Sequence, residues 1–358
     1  MSIFLSISSY RDPLLTNTLT SAYENASDKD NLIFAVVDQN NEKLNTEQFN
    51  FAPQIRYLFL DYSYARGCAW ARSLAQSLYM GEKYFFQVDS HTIFEPGWDE
   101  YFINYYEKIA KKFYKPIISN YPRNFEIDDL ENNTFTKYQY DDKSTHVMVI
   151  DENNVFKDGC FSMKKGIPSG DSQIKKGFLI AGGCLFSSGE IVNEVPYDPY
   201  LYFDGEEDSI AWRLYTNGYS IFHTPDTPLF HYYVNPNNVV KRPFHWDESE
   251  NIDRPTNWFD LKTIGRERLQ KIVDKKMPSP FGLGNVKTLS DYAKFSGLDI
   301  EKMKVLEPDN VFRFNRLNEV KWSHNSEKFS IILLLELYFN KLYCLLKYPV
   351  KQFKGEKL

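Results

Sequence analysis

Three residues at the end of one apolar segment carry side chains that suit a divalent metal ion. Asp89, Ser90 and His91 directly follow the run Tyr84–Val88. A carboxylate oxygen and an imidazole nitrogen bind Mn²⁺ or Mg²⁺, and such an ion neutralises the charge of a diphosphate leaving group. On three residues alone, a helix N-cap followed by an exposed histidine is the better explanation, so the surrounding elements must decide.

The segments around this motif predict alternating strands and helices. Short apolar runs that end at polar residues predict buried strands at 3–8, 32–37, 55–60 and 84–88. Residues 65–80 have a helical pattern, and Asp12 and Pro13 predict a further helix, with Asp12 as N-cap and Pro13 as the first helical residue. This order is typical of an α/β fold with a mostly parallel sheet, which binds ligands at the carboxyl ends of its strands.

The rest of the chain is less regular. The patterns predict a loop or hairpin insertion at 124–145, a strand at 178–181, a helix at 204–218, a strand at 220–223, an extended segment at 235–258 and a small helical region to about residue 320. We divide the chain into a catalytic domain at 1–245, an extended segment with a small helical extension at 246–325, and an amphipathic basic tail at 326–358.

The composition argues against several protein classes. A net charge of −6 over 358 residues argues against broad nucleic-acid binding, which requires a basic face. The four cysteines have no paired spacing, so they indicate neither a zinc site nor a disulfide framework. The start of the sequence has no basic segment and too short an apolar run for a signal peptide, so we expect a cytosolic protein.

The tail at 326–358 combines the apolar run Ile331–Phe339 with repeated lysines. Glu336, Asn340 and Lys341 interrupt it, so it is a poor membrane-spanning helix. Packing on the same domain or on a second subunit is favoured over peripheral contact with the inner face of a membrane, because amphipathic helices usually face a protein core.

Five ordered blocks of the sequence resemble one enzyme family. They are Ser6–Asp12, Ala65–Arg72, Gly81–His91, Phe203–Asp208 and Gly282–Gly284. Over roughly residues 1–300 the chain resembles the Skp1 GlcNAc-transferase-like glycosyltransferases. This resemblance implies a GT-A fold, the Rossmann-like fold of nucleotide-diphospho-sugar transferases. It also implies transfer of a sugar, typically GlcNAc from UDP-GlcNAc, to a hydroxyl with retention at the anomeric carbon.

The resemblance implies where the donor lies. The residues expected to contact it, besides Asp89, follow the first two strands or flank the helix at 65–80: Ser9, Tyr10, Arg11, Asp38, Gln39, Arg66 and Arg72. For Ser9 and Asp38, turn chemistry is an equal explanation. For Arg66 and Arg72, bidentate contact with a diphosphate is favoured over a surface salt bridge.

Three acids at a predicted helix start are the catalytic candidates: Glu206, Glu207 and Asp208. Acids at a helix N-terminus also complement its dipole, which explains one or two of them. The resemblance implies that one carboxylate contacts the acceptor hydroxyl or the donor sugar, with Asp208 the first choice and Glu207 the second. No nucleophile follows from the sequence, and a front-face mechanism, in which the leaving phosphate takes the acceptor proton, is compatible with it.

A third metal ligand is expected late in the chain, as in related GT-A enzymes. His231 is the first candidate, and His223 and His245 are weaker ones. A lone histidine more often only forms a hydrogen bond. A role as metal ligand is favoured for His231 only because Asp89 and His91 already suggest a metal site. Three tryptophans have faces that can stack on a sugar, although each is more often part of a core: Trp98, Trp246 and Trp258.

These expectations describe a metal-dependent glycosyltransferase that takes a UDP-sugar and acts on a hydroxyl of a cell-surface glycan or a protein. The apolar, basic tail slightly favours the glycan, because such acceptors are made at a membrane face. Two alternatives stay open: a catalytically silent sugar-binding or scaffolding module on the same fold, and a metal-dependent hydrolase. A hydrolase site usually gathers more His and Asp at short spacing than this chain has.

Overall fold

The computed structural model describes residues 2–315, apart from 140–142, 154, 158–159, 162–163 and 253. The strands are β1 Ile3–Tyr10, β2 Leu32–Asn40, β3 Ile55–Asp61, β4 Tyr84–Asp89, β5 Thr92–Phe94, β6 Pro116–Ile118, β7 Arg123–Asp129, β8 Thr134–Lys137, β9 His146–Ile150, β10 Phe156–Lys157, β11 Cys160–Phe161, β12 Lys164–Pro168, β13 Lys175–Gly177, β14 Cys184–Ser188, β15 Ser220–His223, β16 Leu229–His231, β17 Leu298–Asp299 and β18 Lys304–Val305. The α-helices are α1 Leu15–Glu24, α2 Cys68–Gln76, α3 Trp98–Ala110, α4 Ile191–Glu194, α5 Glu206–Thr216, α6 Trp258–Val273, α7 Leu289–Ser296 and α8 Pro308–Arg313. The tail predicted at 326–358 lies outside the described residues.

An eight-stranded central sheet has the order β13-β15-β6-β14-β4-β1-β2-β3. β1 pairs in parallel with β2 and β4, and β2 pairs in parallel with β3, so the four predicted N-terminal strands form one parallel half. In the other half, β14 is antiparallel to β4 and β6, and β13 is antiparallel to β15. The sheet is therefore mixed, a feature that periodicity cannot predict because it carries no strand direction.

A smaller four-stranded sheet has the order β5-β16-β7-β8. Its β7–β8 hairpin is the insertion predicted at 124–145. β5 begins directly after His91, and it pairs antiparallel with β16 so that Thr92 lies opposite His231. This pairing brings the late histidine of the sequence next to the end of β4.

Two helix starts differ from the prediction. The helix expected at 65–80 begins only at Cys68, because Gly67 precedes it with a φ of +93° that L side chains rarely adopt, and it ends at Gln76. The first helix begins at Leu15 rather than at Pro13. Asp12 is not its N-cap: Asp12 Oδ1 accepts the N–H of Leu14 at 2.9 Å in the turn before the helix.

One predicted strand is displaced along the chain. Residues 178–181 are buried but irregular, and the strand lies after the glycine pair, at β14. A short apolar run is buried whether it forms a strand or an irregular segment, so the pattern at 178–181 could not decide between a strand and an irregular segment. The helix at 204–218 and the strand at 220–223 are found as α5 and β15.

An aromatic layer packs beneath the end of β4. The ring of Phe86 lies 4.5 Å from Phe102 and 5.5 Å from Trp98. Trp98 is fully buried and its indole N–H donates to the carbonyl of Ala22, so it belongs to the core rather than to a sugar site. In the part of the chain that is described, no helix is long and apolar enough to cross a membrane.

Candidate active site

A cleft of about 480 Å³ lies at the carboxyl ends of β1 and β4, the edge at which α/β sheets bind ligands. Its walls come from β1, α2, the β4–β5 turn, β12, the start of α5, β16 and the segment after it. Residues that line it include Ser8, Tyr10, Asp12, Arg72, Asp89, His91, Lys164, Glu206, Glu207, His231 and Arg242.

Asp89, His91 and His231 converge in this cleft. One ligand atom of each lies within 4.8 Å of the others, and the two imidazole centroids are 4.5 Å apart. His231 Nε2 lies 3.1 Å from Asp89 Oδ2. A side chain at residue 183 would come within 2.6 Å of that oxygen, so Gly183 keeps the space beside it clear. The three predicted ligands thus form a carboxylate–imidazole group that fits a divalent ion.

The two competing histidines take other roles. His223 is fully buried, with Nδ1 2.5 Å from the carbonyl of Ser119. His245 is also buried, with Nδ1 2.6 Å from the hydroxyl of Tyr202. Both rings are engaged with protein groups away from Asp89, and neither joins the cluster.

The electrostatics of the cluster favour metal-binding protonation states. Burial, and then the proximity of His91, lower the pKa of His231 to about 4, which keeps its imidazole neutral at pH 7. Burial opposes ionisation of Asp89, but the hydrogen bond with His231 and the charge of Arg72 outweigh it and hold the Asp89 pKa well below its usual range. A neutral imidazole and an ionised carboxylate are the forms that ligate a metal.

Two residues that sequence reasoning missed hold His91. Its Nδ1 lies 2.6 Å from Oδ2 of the buried Asp12, which also accepts the hydroxyl of Ser90 at 2.8 Å. Arg242 Nη1 approaches the same pair, and its Nη2 donates to the carbonyl of Tyr232 at 3.0 Å. A carboxylate on one ring nitrogen leaves the other for a metal, as is common around metal-ligating histidines.

Arg72 bridges the candidate metal ligand Asp89 and the first acid of α5, Glu206. Its Nη2 lies 3.0 Å from Asp89 Oδ1, and its Nη1 lies 2.7 Å from Glu206 Oε1. Burial opposes its charge, but Glu206 and its other neighbours outweigh that and raise the Arg72 pKa well above its ordinary value. Arg72, which the sequence predicts to contact the diphosphate, is therefore a permanently charged guanidinium that lines the cleft and is held by two carboxylates.

Lys164 holds the other two acids and was also missed. Its Nζ lies 2.8 Å from Glu207 Oε2 and 2.8 Å from Asp208 Oδ1. The second oxygen of Glu207 accepts the backbone N–H of Gly182 at 2.6 Å. Burial opposes the charge of Lys164, but Asp208 and Glu207 outweigh it and raise its pKa. Glu207 is thus fixed through both oxygens.

The charges of this network of ion pairs do not balance; its members line the cleft, apart from the buried Asp208. Four carboxylates face two cations, which leaves a surplus of two negative charges when all are ionised; the groups are Asp89, Glu206, Glu207 and Asp208 against Arg72 and Lys164. The surplus equals the charge of one divalent ion. Burial raises the pKa of Glu206 despite its contact with Arg72, as expected where carboxylates crowd together.

Tyr10 and Arg11 contact a segment that the sequence did not connect to them. The hydroxyl of Tyr10 donates to Glu250 at 2.7 Å, and Arg11 Nη1 lies 2.6 Å from the same carboxylate. Arg254 donates to the Tyr10 hydroxyl at 2.6 Å. The segment around residue 250 therefore closes over the end of β1, where the nucleoside was expected.

Five predicted donor contacts lie outside the lining of the cleft, and one of them is Arg11, which pairs with Glu250. Side chains alternate along a strand, so Ser8 and Tyr10 line the cleft while Ser9 is fully buried. Asp38 accepts the hydroxyl of Tyr57 at 2.8 Å. Gln39 is also buried and donates to the backbone, and Arg66 is exposed in the turn before α2. Donor contacts by these five stay predictions.

Comparisons with known proteins show the family and agree with the fold. Residues 41–302, well over half of the chain, match the family model Glycosyltransferase (GlcNAc). The fold is similar to a crystal structure of GalNAc-T7 with UDP, GalNAc and Mn²⁺, with a TM-score of 0.53 and 13% identity over 87% of this chain. This confirms the predicted GT-A fold, and the chain spans 56% of the length of that protein.

Two further comparisons were made, one with a solved structure and one with curated proteins. S. aureus TarS 1-349 in complex with UDP matches with a TM-score of 0.41 and 12% identity, over 76% of this chain and 72% of that chain. The search of curated proteins found no match.

Proposed function

Because the chain belongs to the GlcNAc glycosyltransferase family, we propose that it transfers a sugar from a UDP-sugar, with UDP-GlcNAc as the first candidate, to a hydroxyl group. The observation that carries the proposal is the convergence of Asp89, His91 and His231 beside the Arg72-bridged acids in one cleft. The mixture of an anionic ligand group and fixed cations suits a donor with a diphosphate.

Asp89, His91 and His231 would hold the metal ion, for which Mn²⁺ is the first candidate and Mg²⁺ the second. When bound, the ion supplies positive charge that neutralises the departing diphosphate. Asp12 orients His91 through Nδ1, and Arg72 holds Asp89 through Oδ1. These contacts fix both side chains before any ligand arrives, which reduces the reorganisation that the reaction requires.

The three acids of α5 would act on the acceptor side. Glu206 is paired with Arg72, and Glu207 and Asp208 are paired with Lys164. A carboxylate held by a buried cation is a weak general base, because the cation stabilises its ionised form. This pairing supports a front-face mechanism, which is compatible with the sequence and with the retention that the resemblance implies. Asp208 was the first choice from the sequence, but its side chain is buried and does not line the cleft, so Glu207, the second choice, is better placed for contact with the acceptor hydroxyl or the donor sugar.

We further propose that the donor nucleoside lies near Tyr10 and Arg11, at the end of β1. Arg11 is partly exposed and carries a guanidinium beside the ring of Tyr62. A flat aromatic ring and a cation suit a uracil ring and a phosphate, respectively. Placement in the cytosol, and at the inner face of the membrane, rests on the sequence alone.

A donor-turnover assay tests this function. We expect release of UDP from UDP-GlcNAc that depends on Mn²⁺ and is lost in His91→Ala. His146→Ala, which removes a histidine outside the cluster, serves as the control and should keep activity. Tight donor binding without turnover for any acceptor would favour the silent sugar-binding module instead. NMR of the product's anomeric proton reports retention or inversion.

A further inference from the structure

A second hollow adjoins the cleft on the side of the α5 acids. It has a volume of about 200 Å³ and is lined by Tyr202, Phe203, Asp204, Trp246, Trp258 and Lys262. Four of these residues also line the larger cleft. The hollow is therefore an extension of the cleft, and its volume lies below the roughly 300 Å³ at which separate ligand pockets begin. It has room for one ring of a longer ligand.

Four aromatic residues form the walls of the hollow: Phe203, Trp246 and Trp258 are at least partly exposed, and Tyr202 is buried. Phe203 is 44% exposed although it lies only three residues before Glu206, the buried first residue of α5. Its ring lies 4.6 Å from Trp246, which stacks on Phe244 at 4.9 Å with an interplanar angle of 5°. On the other side, Trp258 stacks on Tyr202 at 6.4 Å. Rings braced by other rings lose little conformational freedom on binding, which favours them as contact surfaces.

A charged pair forms the rim of the hollow. Lys262 Nζ lies 2.5 Å from Asp204 Oδ2, and both side chains are partly exposed. Together they offer N–H donors and a carboxylate acceptor beside an apolar face. A pyranose ring has the matching chemistry, because its C–H face is apolar and its edge carries hydroxyls. A purely apolar ligand would leave the polar rim without a partner.

The position of the hollow relates it to the acids. Asp204 is separated from Glu206 only by Gly205, whose φ of +77° turns the chain into α5. A ligand ring held against Phe203 is thus next to the carboxylates that face the acceptor. We propose that this hollow binds a sugar ring of the acceptor, so that the acceptor is a glycan rather than a lone protein hydroxyl. The identification of this ring with the acceptor rests on the proposed function; the presence of a sugar site does not.

Direct binding tests the hollow without any turnover. The probes are the methyl β-glycosides of glucose, galactose and N-acetylglucosamine. Their binding to the full chain is measured by saturation-transfer NMR. We expect binding to the wild type and affinity about tenfold weaker in Phe203→Ala, since one lost stacking face is worth about that much. Tyr138→Ala removes a ring outside the hollow that is also 44% exposed, and it should bind as the wild type does. Equal affinity in Phe203→Ala and wild type, or no binding of any glycoside, would overturn the proposal.

Transfer kinetics separate this proposal from the proposed function. With glycan acceptors, Phe203→Ala should raise the acceptor KM about tenfold and leave the donor KM within twofold. Glycoside binding through Phe203 in an enzyme that turns over no donor would leave the sugar site intact and remove the proposed transfer. Transfer to a serine-containing peptide, with the same acceptor KM in Phe203→Ala and wild type, would support the transfer and overturn the acceptor hollow.

Discussion

The Nδ1 atom of His91 lies 2.6 Å from Oδ2 of Asp12, although the two residues are 79 positions apart. The contact joins the turn after β1 to the turn after β4, two parallel neighbours of the central sheet. Because Asp12 fixes one ring nitrogen, the other nitrogen of His91 has a defined direction in the cleft. The orientation of His91 as a candidate metal ligand therefore depends on the carboxylate of Asp12, which is not itself one of the three candidate ligands.

Asp12→Asn should weaken Mn²⁺ binding about 10–100-fold, the usual effect of losing such a carboxylate partner. His91→Ala should reduce it further, because a ligand is lost. Titration of Mn²⁺ followed by EPR measures both. Asp61→Asn, which alters an exposed carboxylate that accepts the N–H of Ser63, is the control and should bind Mn²⁺ as the wild type does. Wild-type affinity in Asp12→Asn would contradict the orienting role.

The parallel half of the fold could be predicted because each strand is an apolar run between turn residues. Both faces of β1 and β2 are covered, so each strand is buried along nearly its whole length. The edge strand β3 was also predicted to be buried, but it is only partly buried because it has a neighbour on one side alone. The position and direction of β14 could not be predicted. The apolar run at 178–181 is as buried as the strand that follows it, and only backbone pairing across the sheet distinguishes them.

The site was predictable where residue type and position coincided. Asp89 and His91 were identified from the end of β4, and His231 from the resemblance. Lys164 and Arg242 were missed because their partners are distant in sequence: Lys164 contacts Glu207 across 43 positions, and Arg242 contacts His91 across 151. In a chain with 42 lysines and arginines, a single cation carries no signal of its own until the fold brings it to a carboxylate.

Arg72→Met should lower the free energy of unfolding by about 3–5 kcal/mol, because it leaves the buried Glu206 and the carboxylate of Asp89 without their cation. Urea unfolding measures the change. Mn²⁺ should stabilise the variant more than the wild type, since the ion meets a larger negative charge. Arg56→Met, which breaks a more exposed pair with Glu82, should cost less. A smaller loss in Arg72→Met than in Arg56→Met would contradict this account.

Lys164 and Glu207 should be energetically coupled. A double-mutant cycle with Lys164→Met and Glu207→Gln, measured by urea unfolding, should give about 0.5–3 kcal/mol, as for contacting residues in one network. The control is the exposed pair Lys83–Glu107, which has the same 2.8 Å separation. Exposed pairs typically couple by about 0.2–1 kcal/mol because water screens them. Equal coupling in the two cycles would show that burial adds nothing at Lys164.

The stability of the protein should fall in mild acid partly through His223. Burial lowers its pKa to about 4 from the ordinary value of 6.5. Between these values the unfolded chain takes up a proton that the folded chain does not, so the free energy of unfolding falls as the pH drops. The contribution is fully present above pH 6.5, declines by up to about 1.4 kcal/mol per pH unit, and levels off below pH 4. Urea unfolding at several pH values measures it.

His223→Gln isolates this contribution, because glutamine does not titrate. The variant is expected to be less stable at pH 7, where it loses the contact of Nδ1 with the carbonyl of Ser119, but its stability should depend less steeply on pH. Thr224→Val disturbs the neighbouring position, whose hydroxyl accepts from Asn120 and Tyr101, without removing a titrating group. The free energy of unfolding of Thr224→Val should therefore depend on pH as steeply as that of the wild type. Parallel pH curves for His223→Gln and the wild type would mean that the buried imidazole does not resist protonation.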